Sequence, residues 1–343
     1  MKTVFVGLSG GVDSSVSAML LKREGYDVVG VYMKNWSQSL PGFNCPWRED
    51  YQDAKRVAVQ LGIKFTVFDF EKDYKQKVVD YMISEYKLGN TPNPDIMCNQ
   101  EIKFKLFLDT SLEAGADYVA TGHYAKTDGG RLFQAKDELK DQTYFLYRVD
   151  RKALAKTIFP LGDLYKKQVR ELAIKKNLVT STKKESMGIC FIGKVGIKDF
   201  LRQYVSVTPG PIIDANGITI GSHDGAIFYT IGQRHGLDVG GGLPYYVTGK
   251  NMVTNTVYVT SKIDDERLWS ISVSLTNTHW INKSPKHNVE YMARTRHRGQ
   301  LLPATYVKNS IIFKDPVKAL NPGQSVVLYE NCEVLGGGII TKL

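Results

Sequence analysis

Thr3-Val4-Phe5-Val6-Gly7-Leu8-Ser9-Gly10-Gly11-Val12-Asp13-Ser14-Ser15 is the stretch on which the fold turns. Its first half, Thr3 to Leu8, is an apolar run of strand length rich in β-branched and aromatic residues, and it reads as a buried strand. Gly10 and Gly11 then let the backbone turn tightly and come close to a ligand. Beyond them Val16, Met19 and Leu20 recur at helical spacing as far as Gly25, so Ser14–Gly25 reads as a helix. A strand, a glycine turn and a helix in that order gather free N–H groups and the positive end of a helix dipole at one point, which is an anion site. Ser9, Ser14 and Ser15 add hydroxyls. The loop lacks the G-x-x-x-x-G-K-[ST] pattern, which excludes a Walker-type kinase or GTPase. The bare alternative is a connecting turn with no ligand.

Working outward, strands and helices alternate. Val28–Met33 reads as a second strand, Tyr51–Leu61 as a helix, and Lys64–Phe70 as a third strand. Asp73–Leu88 and Ile102–Ala114 read as helices, and Asp117–Thr121 as a further strand. Alternation of this kind implies an α/β fold with a doubly wound parallel sheet, whose ligands bind beyond the carboxyl ends of its strands. Leu8–Ser15 and Thr121–Tyr124 both fall there.

The character changes after Leu201. Pro209, Gly210 and Pro211 open a Gly-rich segment of short β-prone runs, and from about Leu268 the pattern is nearly all β. Three parts are expected: a catalytic, nucleotide-binding domain over 1–201, a small β-rich domain over 202–267, and a β-barrel over 268–343. The last holds nine Lys and Arg against four Asp and Glu. With a formal net charge of +10, that balance favours a polyanionic partner such as RNA. No apolar run is long enough for a membrane span and no signal peptide is legible, so a cytoplasmic protein without a membrane partner is expected.

Of the four cysteines, none forms a C-x-x-C pair, and no protein-held metal site is expected. Cys98 follows Asn93-Pro94-Asp95, and the two prolines Pro92 and Pro94 predict an extended loop that ends just before a helix. A thiol there feels the helix dipole, which lowers its pKa, and Lys103 and Lys105 lie close in sequence. Asp95 is three residues away and could serve as a base. Cys190, in Gly188-Ile189-Cys190-Phe191, has apolar flanks that also suit an inert core cysteine. Cys45 and Cys332 read as structural, Cys332 in a hairpin.

The string SGGVDSS resembles the pyrophosphate-binding loop of the adenine-nucleotide alpha-hydrolase fold. With TPNPDIMCNQEIKF, TGHYAK, KDQTYFL, LGDLYKKQVRELA and SMGICFIG in order, and YTIGQRHGL and LNPGQSVVLYE further on, nearly the whole chain resembles the bacterial and organellar tRNA 2-thiouridylases. The resemblance implies ATP, with Mg²⁺, bound by Gly7, Leu8, Ser9, Gly10, Gly11, Val12, Asp13 and Ser14, and adenosine lined by Met33 and Gly122. It implies Cys190 as the persulfide carrier and Cys98 as the cysteine that helps release the sulfur, leaving a disulfide between them. Asp95 matches an acid/base, and Asn93, Pro94 and Asp95 match a stretch that contacts the target base. His123, Lys140, Asp141, Gln142, Arg296, His297 and Gln324 match positions that touch tRNA.

Sulfur would replace the C2 oxygen of the wobble uridine in tRNA, with glutamate, glutamine and lysine tRNAs as the expected substrates. A cysteine desulfurase or a sulfur-carrier protein would supply the sulfur to a monomeric enzyme. Read from the residues alone, Lys140-Asp141-Gln142 also suits a helix cap. Arg294, Arg296 and Arg298 would share one face of a strand. Two rival classes stay open: an ATP-dependent amidating ligase, which has no need of Cys190, and a non-catalytic RNA-binding protein.

Overall fold

The computed structural model describes residues 1–39, 45–184, 196–237, 239–240 and 244–342. Five parallel strands form the first sheet, in the order β3-β2-β1-β4-β7. These are β1 (Thr3–Gly7), β2 (Asp27–Lys34), β3 (Lys64–Asp69), β4 (Tyr118–Ala120) and β7 (Thr157–Ile158). Side chains alternate across β1. Val4, Val6 and Leu8 pack with Ala18 and Leu21 of helix α1 (Val12–Arg23) and with Ala54, Val57 and Ala58 of helix α2 (Trp47–Leu61). Phe5 faces the other way, onto Tyr74, Val78, Ile102 and Phe107. Helices on both faces of a parallel sheet make the doubly wound arrangement expected from the alternation.

Helix α2 begins four residues earlier than its apolar spacing suggests. Trp47–Asp50 carry no helical stripe, but Glu49 and Asp50 favour the positive end of the dipole. It ends at Gly62, where φ is +58° and the backbone turns left-handed.

The chain runs outward from β1 to β2 and β3, then returns to place β4 on the other side of β1. The crevice between β1 and β4 is therefore the switch point where ligands bind in such sheets. The loops after these two strands meet there.

The prolines before Cys98 were expected to hold an extended loop, and the structure corrects this. Pro94 starts a helix, its fixed φ suiting the first turn, and Asn93 caps it by accepting the Asp95 amide at 3.1 Å. Pro94–Met97, Cys98–Leu106 and Phe107–Glu113 run on as one helix, with i→i+5 hydrogen bonding through the middle segment. Cys98 thus lies in the second turn of a helix rather than ahead of one.

Beyond this domain come two all-β units. A four-stranded sheet has the order β10-β11-β8-β9, built from β8 (Gly210–Ile213), β9 (Thr219–His223), β10 (Tyr246–Asn251) and β11 (Thr256–Thr260). Strands β12 (Trp269–Trp280), β15 (Ser310–Lys318), β14 (Leu302–Val307), β13 (Glu290–Arg294), β16 (Ser325–Glu330) and β17 (Glu333–Lys342) pair in that order, all antiparallel. β17 pairs back to β12 and closes a barrel around Val273, Tyr306, Phe313 and Leu328. Gly336 and Gly337 allow that closure. A Cβ would lie 2.1 Å from the His279 carbonyl oxygen at the first and 2.2 Å from that of Val326 at the second.

A hairpin from the first domain, β5 (Lys126–Asp128) and β6 (Arg131–Phe133), adds to the edge of β17. Among the described residues no helix is long and apolar enough to cross a membrane.

Candidate functional site

Glycine geometry builds the loop between β1 and α1. Gly10 sits at φ +72°, and a Cβ there would lie 2.4 Å from the Asp50 carbonyl oxygen, so only glycine lets α2 close over the loop. Ser14 ties the loop to itself. Its hydroxyl accepts the Ser9 amide and donates to the Gly11 carbonyl, both at 3.1 Å. Ser15 donates to the same carbonyl at 2.8 Å and receives the Thr180 hydroxyl at 2.9 Å. Gly11 is the N-cap of α1 and has no side chain to cap the first turn. Its amide donors are thus left to an anion, and the loop fits a phosphate.

The flanks are close. Met33 packs against Gly7, where a Cβ would meet its terminal methyl at 2.8 Å. A Cβ on Gly122, in the turn after β4, would lie 2.8 Å from the Ser14 amide nitrogen. Gly7, Met33 and Gly122, all expected at the nucleotide, are thus brought to the same crevice as Ser9–Ser14. Asp13 is held by Lys166, whose ammonium lies 2.7 Å from both carboxylate oxygens, and by the Tyr124 hydroxyl at 3.1 Å. Neither partner was singled out from sequence, although both stand inside quoted motifs, TGHYAK and LGDLYKKQVRELA.

Cys98 is 2% exposed, in the second turn of the 94–113 helix. Asp95 lies one turn before it. Burial pushes the Asp95 carboxyl above its usual range, against a smaller opposing pull from the Lys103 charge. The helix reaches the nucleotide crevice at two places. Phe107 lies 3.9 Å from the position of a Gly7 Cβ, and the Phe104 ring lies 5.7 Å from that of His123, the residue after Gly122. Cys190 falls within 185–195, outside the described residues, as do residues 40–44 of the Trp36–Trp47 stretch.

The residues expected at tRNA divide. His123 is buried, bonded to the Thr121 hydroxyl at 2.8 Å and packed between Phe104 and Phe159. Burial, and secondarily the Lys103 charge, hold it neutral with a pKa well below the ordinary value. Asp141 does not cap a helix. It is 1% exposed, pairs with Arg294 at 2.8 Å, and accepts the Ala135 amide and the Thr143 hydroxyl. Gln142 accepts the Tyr124 amide at 3.0 Å, and Lys140 is half-buried.

Arg294, Arg296 and Arg298 do not share a face, because β13 ends at Arg294. Arg294 turns inward to Asp141, whereas Arg296 is exposed and Arg298 turns left-handed at φ +59°. The His297 ring lies 4.4 Å from Phe145, and burial lowers its pKa to about 4.

Gln324, from the loop before β16, donates to the Thr91 carbonyl at 2.7 Å. The Thr91 amide donates to Pro322 at 2.8 Å, and its hydroxyl lies 3.3 Å from that of Thr230. Barrel and middle sheet therefore both grip the loop that leads to Asn93, Pro94 and Cys98. Among the described residues no three His, Cys, Asp or Glu side chains gather as a metal site.

Family models match three consecutive stretches. They are described as the tRNA methyl transferase HUP domain over residues 2–194, the tRNA methyl transferase PRC-barrel domain over 198–261, and the Aminomethyltransferase beta-barrel domain over 270–340. The tRNA-specific 2-thiouridylase MnmA of Bacillus subtilis is 46% identical over 349 residues, spanning 98% of this chain and 94% of that protein. The protein of the same name from Enterococcus faecalis is 44% identical over 355 residues, spanning 99% and 95%. A solved 4-thiouridine synthetase–RNA complex with bound ATP aligns at 16% identity and a TM-score of 0.35, over 59% of this chain and 50% of that one. The first family model alone takes in more than half of the sequence and the relatives span nearly all of it: the chain belongs to the tRNA-specific 2-thiouridylase family.

Proposed function

We propose that this protein replaces the C2 oxygen of the wobble uridine of tRNA with sulfur, using ATP to activate the oxygen and a persulfide on Cys190 to deliver the sulfur. One observation supports the reading: the helix that bears buried Cys98 packs, through Phe107 and Phe104, against Gly7 and His123 beside the phosphate-fitting loop. An amide carbonyl is a poor electrophile and oxide a poor leaving group. The uridine oxygen therefore attacks the α-phosphorus, its new O–P bond replacing the bond to pyrophosphate, while Asp95 takes the N3 proton. The raised affinity of Asp95 for a proton suits that role.

The terminal sulfur of the Cys190 persulfide then attacks C2, and AMP leaves with the electron pair of the C–O bond. The Cys98 thiolate attacks the Cys190 sulfur, a disulfide forms, and the released pair stays on the ring sulfur. Asp95 returns its proton to N3, and an external thiol reduces the disulfide. Ser9–Ser14 would hold the phosphates, with Met33 and Gly122 beside the adenosine. Mg²⁺ would offset phosphate charge.

Exposed Arg296 supports a phosphate-backbone contact, and Gln324 and Asn93 support placement of the target base. Glutamate, glutamine and lysine tRNAs are the proposed substrates, a desulfurase or sulfur carrier the proposed donor, and a cytoplasmic monomer the proposed form. Methyl transfer, suggested by the wording of two family descriptions, requires neither a phosphate loop nor a second thiol.

The test incubates the protein with Mg²⁺, ATP, cysteine, a cysteine desulfurase and unmodified glutamate tRNA. The RNA is then run on a mercury gel that retards thiolated species. A retarded band that needs ATP and vanishes with Cys190→Ser is expected. A band that persists in that variant would remove the persulfide role, and its absence from wild type despite tRNA binding and ATP turnover would reopen the ligase reading.

A further inference from the structure

The four-stranded middle sheet takes no part in the steps above, yet its unit touches the chain just ahead of the catalytic turn. Residues 89–91 lead into the Asn93 cap, and the helix that starts there carries Asp95 and Cys98. Gly89, at φ +85°, approaches Met252 of the β10–β11 turn so closely that a Cβ would lie 2.8 Å from its Cγ. The Thr91 hydroxyl lies 3.3 Å from that of Thr230, in the segment after β9. From the barrel, the loop between β15 and β16 reaches the same residue. The Pro322 carbonyl accepts the Thr91 amide at 2.8 Å, and Gln324 donates to the Thr91 carbonyl at 2.7 Å. Thr91 is thus held by its side chain from one unit and by both backbone groups from the other.

One side chain joins those two grips. Asn321, 8% exposed, accepts the Ile231 amide at 2.9 Å and donates to the Ile231 carbonyl at 3.1 Å. It donates as well to the Ala319 carbonyl at 2.9 Å. Among side chains of this length only a carboxamide has the acceptor and the two donors that these bonds require. The backbone around it is constrained. Ala319 is left-handed at φ +56°, a conformation that strains a residue with a Cβ and recurs at functional sites. Gly232, at φ +83°, leaves it room, since a Cβ there would lie 2.3 Å from that of Ala319. A strained and hydrogen-bonded joint has one geometry. It passes that geometry to Thr91 through Thr230 on one side and through Pro322 and Gln324 on the other.

We propose that Asn321 is a positioning residue for the reaction: by locking the middle unit to the barrel loop it fixes Thr91, and through Thr91 the turn that presents Asp95 and Cys98; this rests on the thiolation reading above. Asn321 acts at a distance and touches no substrate. The middle unit thereby gains a role, as the wall against which the catalytic turn is set.

The experiment compares wild type, Asn321→Ala and Val257→Ala. The last opens a cavity in the buried core of the middle sheet and removes no hydrogen bond of the joint. One readout is kcat and KM for tRNA in thiolation. The other is the rate at which iodoacetamide alkylates Cys98 in the free protein, with exposed Cys332 as the internal reference. Asn321→Ala should lose about 10- to 100-fold in kcat, the scale for reacting groups displaced by up to an ångström. Its KM for tRNA should stay within about twofold, since no RNA contact is removed. Cys98, buried in wild type, should react about tenfold faster relative to Cys332, because a loosened turn opens locally. Val257→Ala should leave both readouts near wild type; equal effects from it would show general loosening and overturn the proposal. A raised KM with kcat intact would also overturn it, making the joint an RNA grip, as would kcat lost with Cys98 alkylation unchanged. If wild type thiolates no tRNA, the thiolation reading fails on its own, and the alkylation rates still decide whether Asn321 holds the turn. If Asn321→Ala fails to fold, Asn321→Asp, which keeps the acceptor and loses both donated bonds, takes its place in the same comparison.

Discussion

At the scale of single residues, two positions bind sequence to site through sterics and charge. Gly10 is required by conformation and by space together, at φ +72° with the Asp50 carbonyl 2.4 Å from where a Cβ would stand. Gly10→Ala must move α2 or the loop, at a cost of about 1–3 kcal/mol for the backbone conformation alone. The expected result is ATP binding weakened at least about tenfold with the fold retained, read by nucleotide titration; unchanged affinity would mean that the loop does not carry the phosphates. The glycine pair was legible in the sequence because its chemistry is local. The partners of Asp13 were not, because Lys166 and Tyr124 come from elements over a hundred residues away.

His297 gives a second residue-scale test. Its pKa falls from 6.5 to about 4, first through burial and then through the Arg298 and Arg294 charges, with Asp141 opposing. The unfolded chain therefore binds a proton between pH 6.5 and 4 that the folded chain refuses, so stability falls as pH falls across that window. His297→Gln removes this contribution. Its urea midpoint should decline less than that of wild type between those two pH values; parallel curves would show that His297 does not titrate differently on folding.

At the scale of elements, the 94–113 helix shows where sequence reasoning was misdirected. Pro92 and Pro94 were read as two breakers, yet Pro94 stands at the one helical position that tolerates proline, and the preceding Asn93 supplies the cap. The signal was present as an Asn-Pro pair, but closely spaced prolines mark loops more often than helix starts. Asn93→Ala should cost about 1 kcal/mol at that helix start. Because the cap fixes the turn that carries Asp95 and Cys98, thiolation should drop several-fold more than tRNA affinity; equal losses in both would make Asn93 a tRNA contact instead of a cap. The β5–β6 hairpin was missed for another reason. It pairs with β17, some two hundred residues on, and such long-range strand pairing leaves no periodic trace in its own short strands.

At the scale of the whole molecule, the alternation of strands and helices announced the parallel sheet, and the run of short strands announced the barrel. How the units grip one another was not legible, since R-x-R-H-R read as a surface pattern while Arg294 turned inward. Its guanidinium reaches Asp141 at 2.8 Å, with 8% of the arginine side chain and none of the aspartate exposed. Thr143 joins Asp141 to Tyr329 of β16, and Tyr144 donates to the carbonyls of Thr295 and Ser325. This polar seam fixes the barrel, and with it exposed Arg296, relative to the catalytic sheet.

A buried pair is costly to break from one side, because the remaining charge loses both water and partner. Arg294→Met should therefore destabilise by about 3–5 kcal/mol. The double variant Arg294→Met with Asp141→Asn leaves no buried charge, so it should recover much of that loss despite carrying more changes. Urea unfolding of the two single variants and the double one measures the coupling directly. If the losses of the singles simply add in the double, Asp141 and Arg294 are not held as a pair, and the barrel is fixed by its other contacts, among them Tyr144 with Thr295 and Ser325 and Gln324 with Thr91. If the double variant is instead the more stable, while tRNA affinity and its salt dependence fall in every variant, the ion pair serves to orient Arg296 on the RNA rather than to hold the fold together.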